Sequence, residues 1–167
     1  MEKIRGFEII ADKFRKNKEV FTNEKGLKFE FNKDIKLPAR ADKGSSGYDF
    51  YLPKDTQFLP NHVTKIYTDV KAYMPEDEEL LIFIRSSLAI NHGLKLVNQV
   101  GKIDSSYYNN PDNDGNIILA IENTSGKAVT LKEGERIAQG TFYKYLLADV
   151  DNTLHEERTG GIGSSDR

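Results

Sequence analysis

The chain has 167 residues and no cysteine, so it has the size of one ordinary domain and can form no disulfide, thiol nucleophile or thiolate metal site. Its formal net charge is −2, so no overall positive charge attracts the chain to nucleic acid or to an anionic membrane. No apolar run approaches the roughly 18 to 20 residues that span a bilayer, and no signal peptide is recognisable, so we expect a cytoplasmic protein.

Short segments that alternate apolar and polar residues predict a mostly β chain. Residues 13–34, dense in Lys, Glu and Asn, predict a surface excursion in the form of a hairpin. Residues 63–74 predict one strand with an irregularity between Ile66 and Thr68. The continuous apolar run ELLIFI, residues 79–84, predicts a strand buried on both faces.

The second half of the chain continues this β pattern, interrupted by a single predicted helix. Ser86–His92 predicts one short helix with a serine cap, ended by Gly93. Residues 116–121 and 136–147 predict further strands, and the whole indicates a sandwich, jelly roll or barrel over residues 1–150. Residues 151–167 are too polar to fold alone and predict a flexible arm.

Three segments carry residues suited to phosphate chemistry. Arg85, Ser86 and Ser87 open the predicted helix, where a guanidinium, hydroxyls and free N–H groups converge. The segment NQVGKID, residues 98–104, offers an amide, a tight glycine turn and one carboxylate that can act as a general base. RTGGIGSS in the arm joins a cation to unhindered backbone amides. Taken singly, these segments are more often a helix cap, a strand end and a flexible tail than phosphate or catalytic sites.

Other catalytic chemistries find no support in the sequence. His62, His92 and His155 are isolated, and no HExxH or Walker pattern occurs. What remains is a set of phosphate-binding residues together with one carboxylate. This combination suits hydrolysis by an activated water, with Mg²⁺ carried on the phosphates of the substrate.

Five segments resemble, in order, the motifs of the trimeric dUTPases of bacterial or phage type. They are PARADKGSSGYDF (38–50), RSSLA (85–89), NQVGKIDSSY (98–107), GERIAQ (134–139) and RTGGIGSS (158–165). The resemblance implies an all-β distorted jelly roll or barrel with one short helix, and a homotrimer that exchanges its C-terminal arms. It also implies hydrolysis of dUTP to dUMP and pyrophosphate, which limits uracil incorporation into DNA and supplies dUMP for dTMP synthesis.

The same resemblance assigns roles to residues. Asp104 is the implied general base, and Tyr107 is the ring that packs under deoxyribose and excludes a ribose 2′-hydroxyl. Asp49 is implied to lie near Mg²⁺ through water, with no direct protein ligand to the ion. The implied substrate-binding residues are Arg85, Ser86, Ser87, Asn98, Lys102, Ile103, Tyr107, Ile118, Gln139, Arg158, Ile162, Gly163, Ser164 and Ser165.

Three departures from the family pattern stand out. Ile162 occupies the place where the fifth motif commonly has an aromatic residue over the uracil. The segment YNNPDND, residues 108–114, is longer than the usual turn, and we expect it to reshape the rim of the site. The excursion at 13–34 is also long for the family.

Two alternatives remain beside dUTP hydrolysis. The dCTP deaminases share the fold and the RSS motif, but their catalytic Glu stands three residues before an Asn, where this chain has Ala120 before Asn123; Glu122 is out of register. The second alternative is a regulatory protein that binds a protein partner, as for some phage-encoded relatives, through the two long segments.

Overall fold

The computed structural model describes residues 2–153 and 160–162, and strands dominate there. One α-helix, α1, spans Ser86–His92, and 3₁₀ turns lie at Asp12–Phe14 and Ser105–Tyr107. The strands are β1 (Gly6–Ile9), β2 (Lys18–Thr22), β3 (Lys28–Asn32), β4 (Ala39–Arg40), β5 (Tyr48–Tyr51), β6 (Thr56–Phe58), β7 (Val63–Tyr67), β8 (Val70–Tyr73), β9 (Glu78–Ile84), β10 (Leu94–Leu96), β11 (Gly101–Asp104), β12 (Ile118–Asn123), β13 (Val129–Leu131) and β14 (Arg136–Lys144). The predicted all-β, jelly-roll-like class with one short helix is confirmed.

A five-stranded sheet with the order β11, β9, β14, β5, β4 forms the frame of the molecule. A second sheet has the order β10, β12, β7, and β1 with β8 and β6 with β13 form two-stranded pairs. The paired strands are antiparallel. Inward side chains from these sheets meet in one core, as in a sandwich. Its fully buried members include Phe50, Phe58, Leu80, Ile82, Ile121 and Ile137.

The apolar strand at residues 79–84 is present as part of β9, but it is not buried on both faces. Leu80 and Ile82 are fully buried, whereas Leu81 and Phe83 on the opposite face are only half-buried. Glu78 at the start of β9 is also buried, and both of its carboxylate oxygens accept hydrogen bonds from Arg5 at 2.7 Å, which offset the cost of burying the charge. Continuous apolarity therefore marks here a strand with one core face and one partly covered face.

The single strand predicted over residues 63–74 is wrong, since two strands occupy this segment. The break falls at Thr68 and Asp69, and Asp69 has a φ of 57°. Its fully buried carboxylate accepts hydrogen bonds from the backbone N–H groups of Lys16 and Asn17, and its oxygen lies 3.3 Å from Nε of Arg15. These contacts offset the cost of burying the charge and of the left-handed backbone.

The predicted helix has the predicted bounds, but its cap differs. Arg85 is the N-cap residue, and no side chain provides a capping hydrogen bond. Gly93 ends the helix with a φ of 66°, as predicted. The strand predicted over 116–121 is shifted to Ile118–Asn123, and the one predicted over 136–147 begins as predicted but ends earlier, at Lys144. No helix among the described residues combines the length and apolarity needed to cross a membrane.

The predicted excursion contains a β-hairpin of β2 and β3 that pairs only with itself among the described strands. Its side chains are exposed along almost its whole length. The hairpin base is closed by a hydrogen bond from the N–H of Lys33 to the carbonyl of Asn17, at 3.1 Å. The hairpin is thus an appendage joined to the body through residues 15–17 and 33.

Candidate active site

A cavity of about 220 Å³ is lined by residues of β11, β12 and their neighbours, and we call it the Asp104 cavity. Its described lining consists of Ile82, Leu96, Asn98, Gly101, Lys102, Ile103, Asp104, Tyr107, Ile118, Leu119 and Ile162. Asp104 is the one carboxylate in this described lining. Most of the third motif therefore faces one space with both polar and apolar walls, which suits a planar base and a sugar.

Asp104 is positioned by the end of a strand. It is the last residue of β11 and the N-cap of the 3₁₀ turn at Ser105–Tyr107, where the chain bends away from the sheet. The register places it opposite Glu79 of β9. The side chain is half-buried and borders the cavity, so a ligand there has access to its carboxylate.

The ring of Tyr107 forms one wall of the cavity and is held firmly. Its hydroxyl donates to the carbonyl of Asn116 at 2.9 Å and accepts from Nδ2 of Asn113 at 2.8 Å. Only 5% of the residue is exposed. Two hydrogen bonds on one phenolic oxygen leave the ring little freedom, as a steric wall requires.

The turn between β10 and β11 brings Asn98 to the cavity. The N–H of Gln99 donates to the carbonyl of Leu96 at 2.9 Å, and Gln99 has the left-handed φ of 61°. The expected glycine turn is thus made by Gln99. Gly101 serves close packing instead, because a Cβ there would lie 3.3 Å from Cβ of Ile82 on the neighbouring strand.

Lys102 is exposed at the rim of the cavity and pairs with a neighbouring strand. Its Nζ lies 2.8 Å from the Glu79 carboxylate, and this contact raises the pKa of the Lys102 ammonium. Lys102 therefore stays charged at neutral pH, with Asp104 also contributing to the raised pKa.

A second, polar pocket collects residues of the first, second and fourth motifs, and we call it the Arg85 pocket. Its described lining is Ala41, Ser45, Gly47, Asp49, Arg85, Ser86, Arg136 and Gln139. Two guanidiniums converge on the buried Asp49: Nη1 of Arg136 lies 3.0 Å and Nε of Arg85 lies 3.9 Å from its carboxylate. With two positive charges against one negative, the pocket suits an anion with several charges, such as a polyphosphate.

The structure brings together most of the predicted site residues, in two groups. Ser87 lies exposed on the first turn of α1, outside the described lining of both pockets. Arg158, Gly163, Ser164 and Ser165 lie outside the described residues. The prediction missed Arg136, although it stands within the fourth motif; a second guanidinium in GERIAQ was the available signal.

Asp104 and Arg85 stand far apart in one chain. Asp104 lies beside Glu79, near the start of β9, whereas Arg85 directly follows the last residue of that strand. The six steps from residue 79 to residue 85 extend about 20 Å at roughly 3.3 Å per residue. No described residue lines both pockets.

The described part of the fifth motif lies against the Asp104 cavity of the same chain. Ile162 contributes to its lining while remaining 74% exposed. The N–H of Gly161 donates to a carboxylate oxygen of Asp112 at 2.8 Å. One of the backbone amides of RTGGIGSS is therefore already hydrogen-bonded within the protein.

Within residues 2–153 and 160–162, no three His, Cys, Asp or Glu side chains group closely enough to hold a metal ion. In the described lining of the Arg85 pocket, Asp49 is the carboxylate, and the two guanidiniums already neutralise it. These residues do not form a direct protein ligand set for Mg²⁺.

Comparison with known proteins gives a consistent result. The sequence model of the dUTPase family matches residues 33–166. The deoxyuridine 5′-triphosphate nucleotidohydrolase of Lactococcus lactis is 40% identical over 164 residues, which cover 98% of each chain. That of Caldanaerobacter subterraneus is 37% identical over 131 residues, covering 75% of this chain and 84% of the relative.

Solved structures agree. The dUTPase of Streptococcus mutans superposes with a TM-score of 0.69 at 37% identity, covering 87% of this chain and 99% of that chain. The dUTPase of Staphylococcus bacteriophage 80alpha shares the fold, with a TM-score of 0.65 at 18% identity and coverage of 93% of this chain and 99% of that one. The chain belongs to the dUTPase family.

Proposed function

We propose that this protein hydrolyses dUTP to dUMP and pyrophosphate, with Asp104 as the general base. The observation that carries the proposal is the position of Asp104 as the one carboxylate in the described lining of a base-sized cavity, within a chain of the dUTPase family. In the reaction, Asp104 removes a proton from water, the water oxygen bonds to the α-phosphorus, and the bond from that phosphorus to the bridging oxygen breaks. Pyrophosphate leaves with the bond electrons.

Selection of the nucleoside rests on Asn98 and Tyr107. The Asn98 amide and the backbone of residues 102–104 border the cavity and provide donors and acceptors for the polar edge of uracil. The Tyr107 ring, held through its hydroxyl, lies under the deoxyribose and leaves no space for a 2′-oxygen. Ile103 and Ile118 supply apolar walls.

The phosphates bind in the Arg85 pocket, together with the fifth-motif residues Arg158, Ser164 and Ser165. Arg85, Ser86 and Gln139 supply donors, and Arg136 adds a further positive charge. Mg²⁺ enters as the dUTP complex, where it shields the charge of the triphosphate. Because Asp49 is held by two guanidiniums, its influence on the ion is transmitted through water.

The separation of the pockets supports a homotrimer with shared sites. A single dUTP must reach both Asp104 and the Arg85 pocket, yet about 20 Å of β-strand separates them within one chain, given a rise of roughly 3.3 Å per residue. Placing the Asp104 cavity of one protomer beside the Arg85 pocket of a neighbour removes this difficulty. Exchange of the arms between protomers belongs to the same proposal.

The rival function is deamination of dCTP. By sequence spacing, Ala120 stands where a deaminase has its catalytic glutamate. In the structure, Glu122 pairs with Lys95 at 3.0 Å. Glu122 is absent from the described lining of the Asp104 cavity. The described lining of the cavity thus lacks the glutamate of the deaminases.

The test is to incubate the purified protein with Mg²⁺ and either dUTP or dCTP, and to separate the products by ion-exchange chromatography. We expect dUMP and pyrophosphate in equal amounts from dUTP, and neither ammonia nor dUTP from dCTP. Ammonia release from dCTP, or intact dUTP after long incubation, would overturn the proposal.

A further inference from the structure

We propose that Lys102 is a positioning residue for the general base: its ammonium balances the carboxylate of Glu79, which otherwise opposes the negative charge of Asp104. This inference rests on the proposed function. It gives a role to the side chain of Lys102, since the proposed function uses only its backbone. It also gives a role to Glu79, an acid that belongs to none of the five motifs.

Glu79 and Asp104 lie opposite each other in the five-stranded sheet. The antiparallel register of β9 and β11 pairs these two residues directly. Side chains of directly paired residues share one face of a sheet, with Cβ atoms about 4.5 to 5.5 Å apart, and like charges at such positions are destabilising. Two ionised carboxylates placed in this way therefore need a cation close to them.

Lys102 provides that cation from the same face. It precedes Asp104 by two residues on β11, so the alternation of a strand directs both side chains to one side. Its Nζ lies 2.8 Å from Oε2 of Glu79, whose side chain is only 14% exposed. That oxygen is buried and receives no aligned hydrogen bond from the described residues, so the ion pair compensates its burial. Glu79 raises the pKa of Lys102 most, and Asp104 adds to this effect, so the ammonium interacts with both carboxylates.

The other titratable groups near this pair in the described chain leave the charge balance unchanged. Phenols carry no charge at acid or neutral pH. The phenols that face the pair are Tyr107 beside the cavity, Tyr143 opposite Glu79 on β14, and Tyr145 just beyond β14. The acids that precede Glu79 have cations of their own, Asp77 with Lys144 and Glu78 with Arg5.

The charge balance matters because a general base acts only in its ionised form. With Lys102 in place, Asp104 ionises beside a carboxylate that is already compensated. Without Lys102, Glu79 and Asp104 compete, and the pair retains a proton to a higher pH. The Lys102 side chain is 60% exposed, so solvent and salt weaken this effect.

The pH dependence of kcat/KM for dUTP in Lys102→Met tests this role. Met keeps the aliphatic chain without the ammonium and leaves the backbone at the cavity in place. We expect the acid limb of the profile to move to higher pH by about half to one pH unit, with little change at its plateau. Ionisation of the substrate affects all variants alike. An unmoved acid limb, or a loss of kcat/KM that is equal at every pH, would overturn the proposal.

Removal of the second carboxylate should reverse the effect. In the double variant Glu79→Gln with Lys102→Met, no charge opposes Asp104, so we expect the acid limb to return to its position in the wild type. Circular dichroism establishes that both variants keep the fold. A shift that persists in the folded double variant would show that Glu79 is not its cause, and the proposal would fail.

Lys95→Met is the matched control. The Lys95 side chain is 53% exposed, pairs with Glu122 of a neighbouring strand at 3.0 Å and lies outside both described pocket linings. Its loss removes a comparable ion pair and one positive charge away from Asp104, so the acid limb should coincide with that of the wild type. An equal shift in Lys95→Met and Lys102→Met would contradict a local effect.

A second measurement needs no turnover. In the full-length protein labelled with ¹³C at the carboxyl carbons of aspartate and glutamate, Asp104→Asn and Glu79→Gln assign the two signals. The Asp104 carboxyl should take up its proton at a higher pH in Lys102→Met than in the wild type or Lys95→Met. Equal titration of Asp104 in all three proteins would contradict the charge balance. If the wild type failed to hydrolyse dUTP, the proposed function would fail while this titration still judged the pair.

Discussion

At the residue scale, buried polar side chains that hydrogen-bond to the same residue fix the structure around the Asp104 cavity. Asn116 illustrates this: its carbonyl accepts from the Tyr107 hydroxyl, and its side-chain amide donates to the buried Asp69 at 3.1 Å. Arg15 reaches the same Asp69. The wall of the cavity is therefore linked to the base of the hairpin through buried hydrogen bonds, which are costly to break because each loss leaves an unsatisfied group.

Tyr108, beside that wall, provides a pH signature. Burial and a hydrogen bond to Glu8, 2.7 Å from its hydroxyl, raise the pKa of Tyr108 to about 12. The unfolded chain ionises this tyrosine near pH 10. Its contribution to stability is complete below pH 10 and is lost as the pH rises towards 12, because only the unfolded state then releases the proton.

We therefore expect the free energy of unfolding of the wild type to fall more steeply between pH 10 and 12 than that of Tyr108→Phe. Urea titrations followed by circular dichroism at several pH values measure both curves. Lysine deprotonation affects the two proteins alike, so the difference in slope isolates Tyr108. Parallel curves would contradict the assigned pKa.

At the element scale, the hairpin of β2 and β3 is the least integrated part of the described fold. The cross-strand pairs Phe21 with Phe29 and Glu19 with Phe31 place three phenylalanines on one face. These are 60%, 44% and 57% exposed for Phe21, Phe29 and Phe31. Such a face contributes little to the core and is available for contact with another surface.

Replacing residues 18–32 by an Asn-Gly turn tests whether the hairpin is separable from catalysis. The flanking residues Asn17 and Lys33 are already joined by a backbone hydrogen bond, and the contacts of Arg15 and Asn17 with Asp69 remain. We expect kcat/KM for dUTP to stay within about twofold of the wild type, since a surface appendage away from the site is energetically independent of it. A large loss of activity with an unchanged melting temperature would show that the hairpin serves the site.

The sequence predicted those elements well whose pattern lies within their own segment. It predicted less well those whose bounds depend on contacts with distant residues. The helix at Ser86–His92 and the hairpin follow from composition, Gly93 and alternation within their own segments. The break at Asp69 depends on contacts with residues 15–17, more than 50 positions away, which no local pattern reveals. The contact between Asp112 and Gly161 could not be predicted from the sequence either, because it joins two distant segments through a backbone N–H.

At the scale of the whole molecule, the order of motifs along the chain does not determine which residues meet. The third motif forms one pocket, and parts of the first, second and fourth form the other. The predicted single site is thus divided along β9, and in the proposed homotrimer the residues of one site come from neighbouring protomers. This follows from the geometry of a strand, since residues at its two ends cannot approach each other.

The central claim is that Asp104 of one protomer and Arg85 of another act on the same dUTP. Two variants test it: Asp104→Asn, which keeps the shape of the carboxylate but removes the base, and Arg85→Ala, which removes a guanidinium from the phosphate pocket. Each alone should have severely reduced turnover with a fold unchanged by circular dichroism. Sedimentation first establishes that each variant and their mixture, unfolded and refolded together, are trimers.

The decisive measurement is dUTP hydrolysis by the refolded equimolar mixture. A shared site needs an intact Asp104 from one chain and an intact Arg85 from another, so random assembly should restore about a quarter of the wild-type activity. Failure of verified mixed trimers to regain activity would contradict a site shared in this way, and full activity of Asp104→Asn alone would contradict the assigned base.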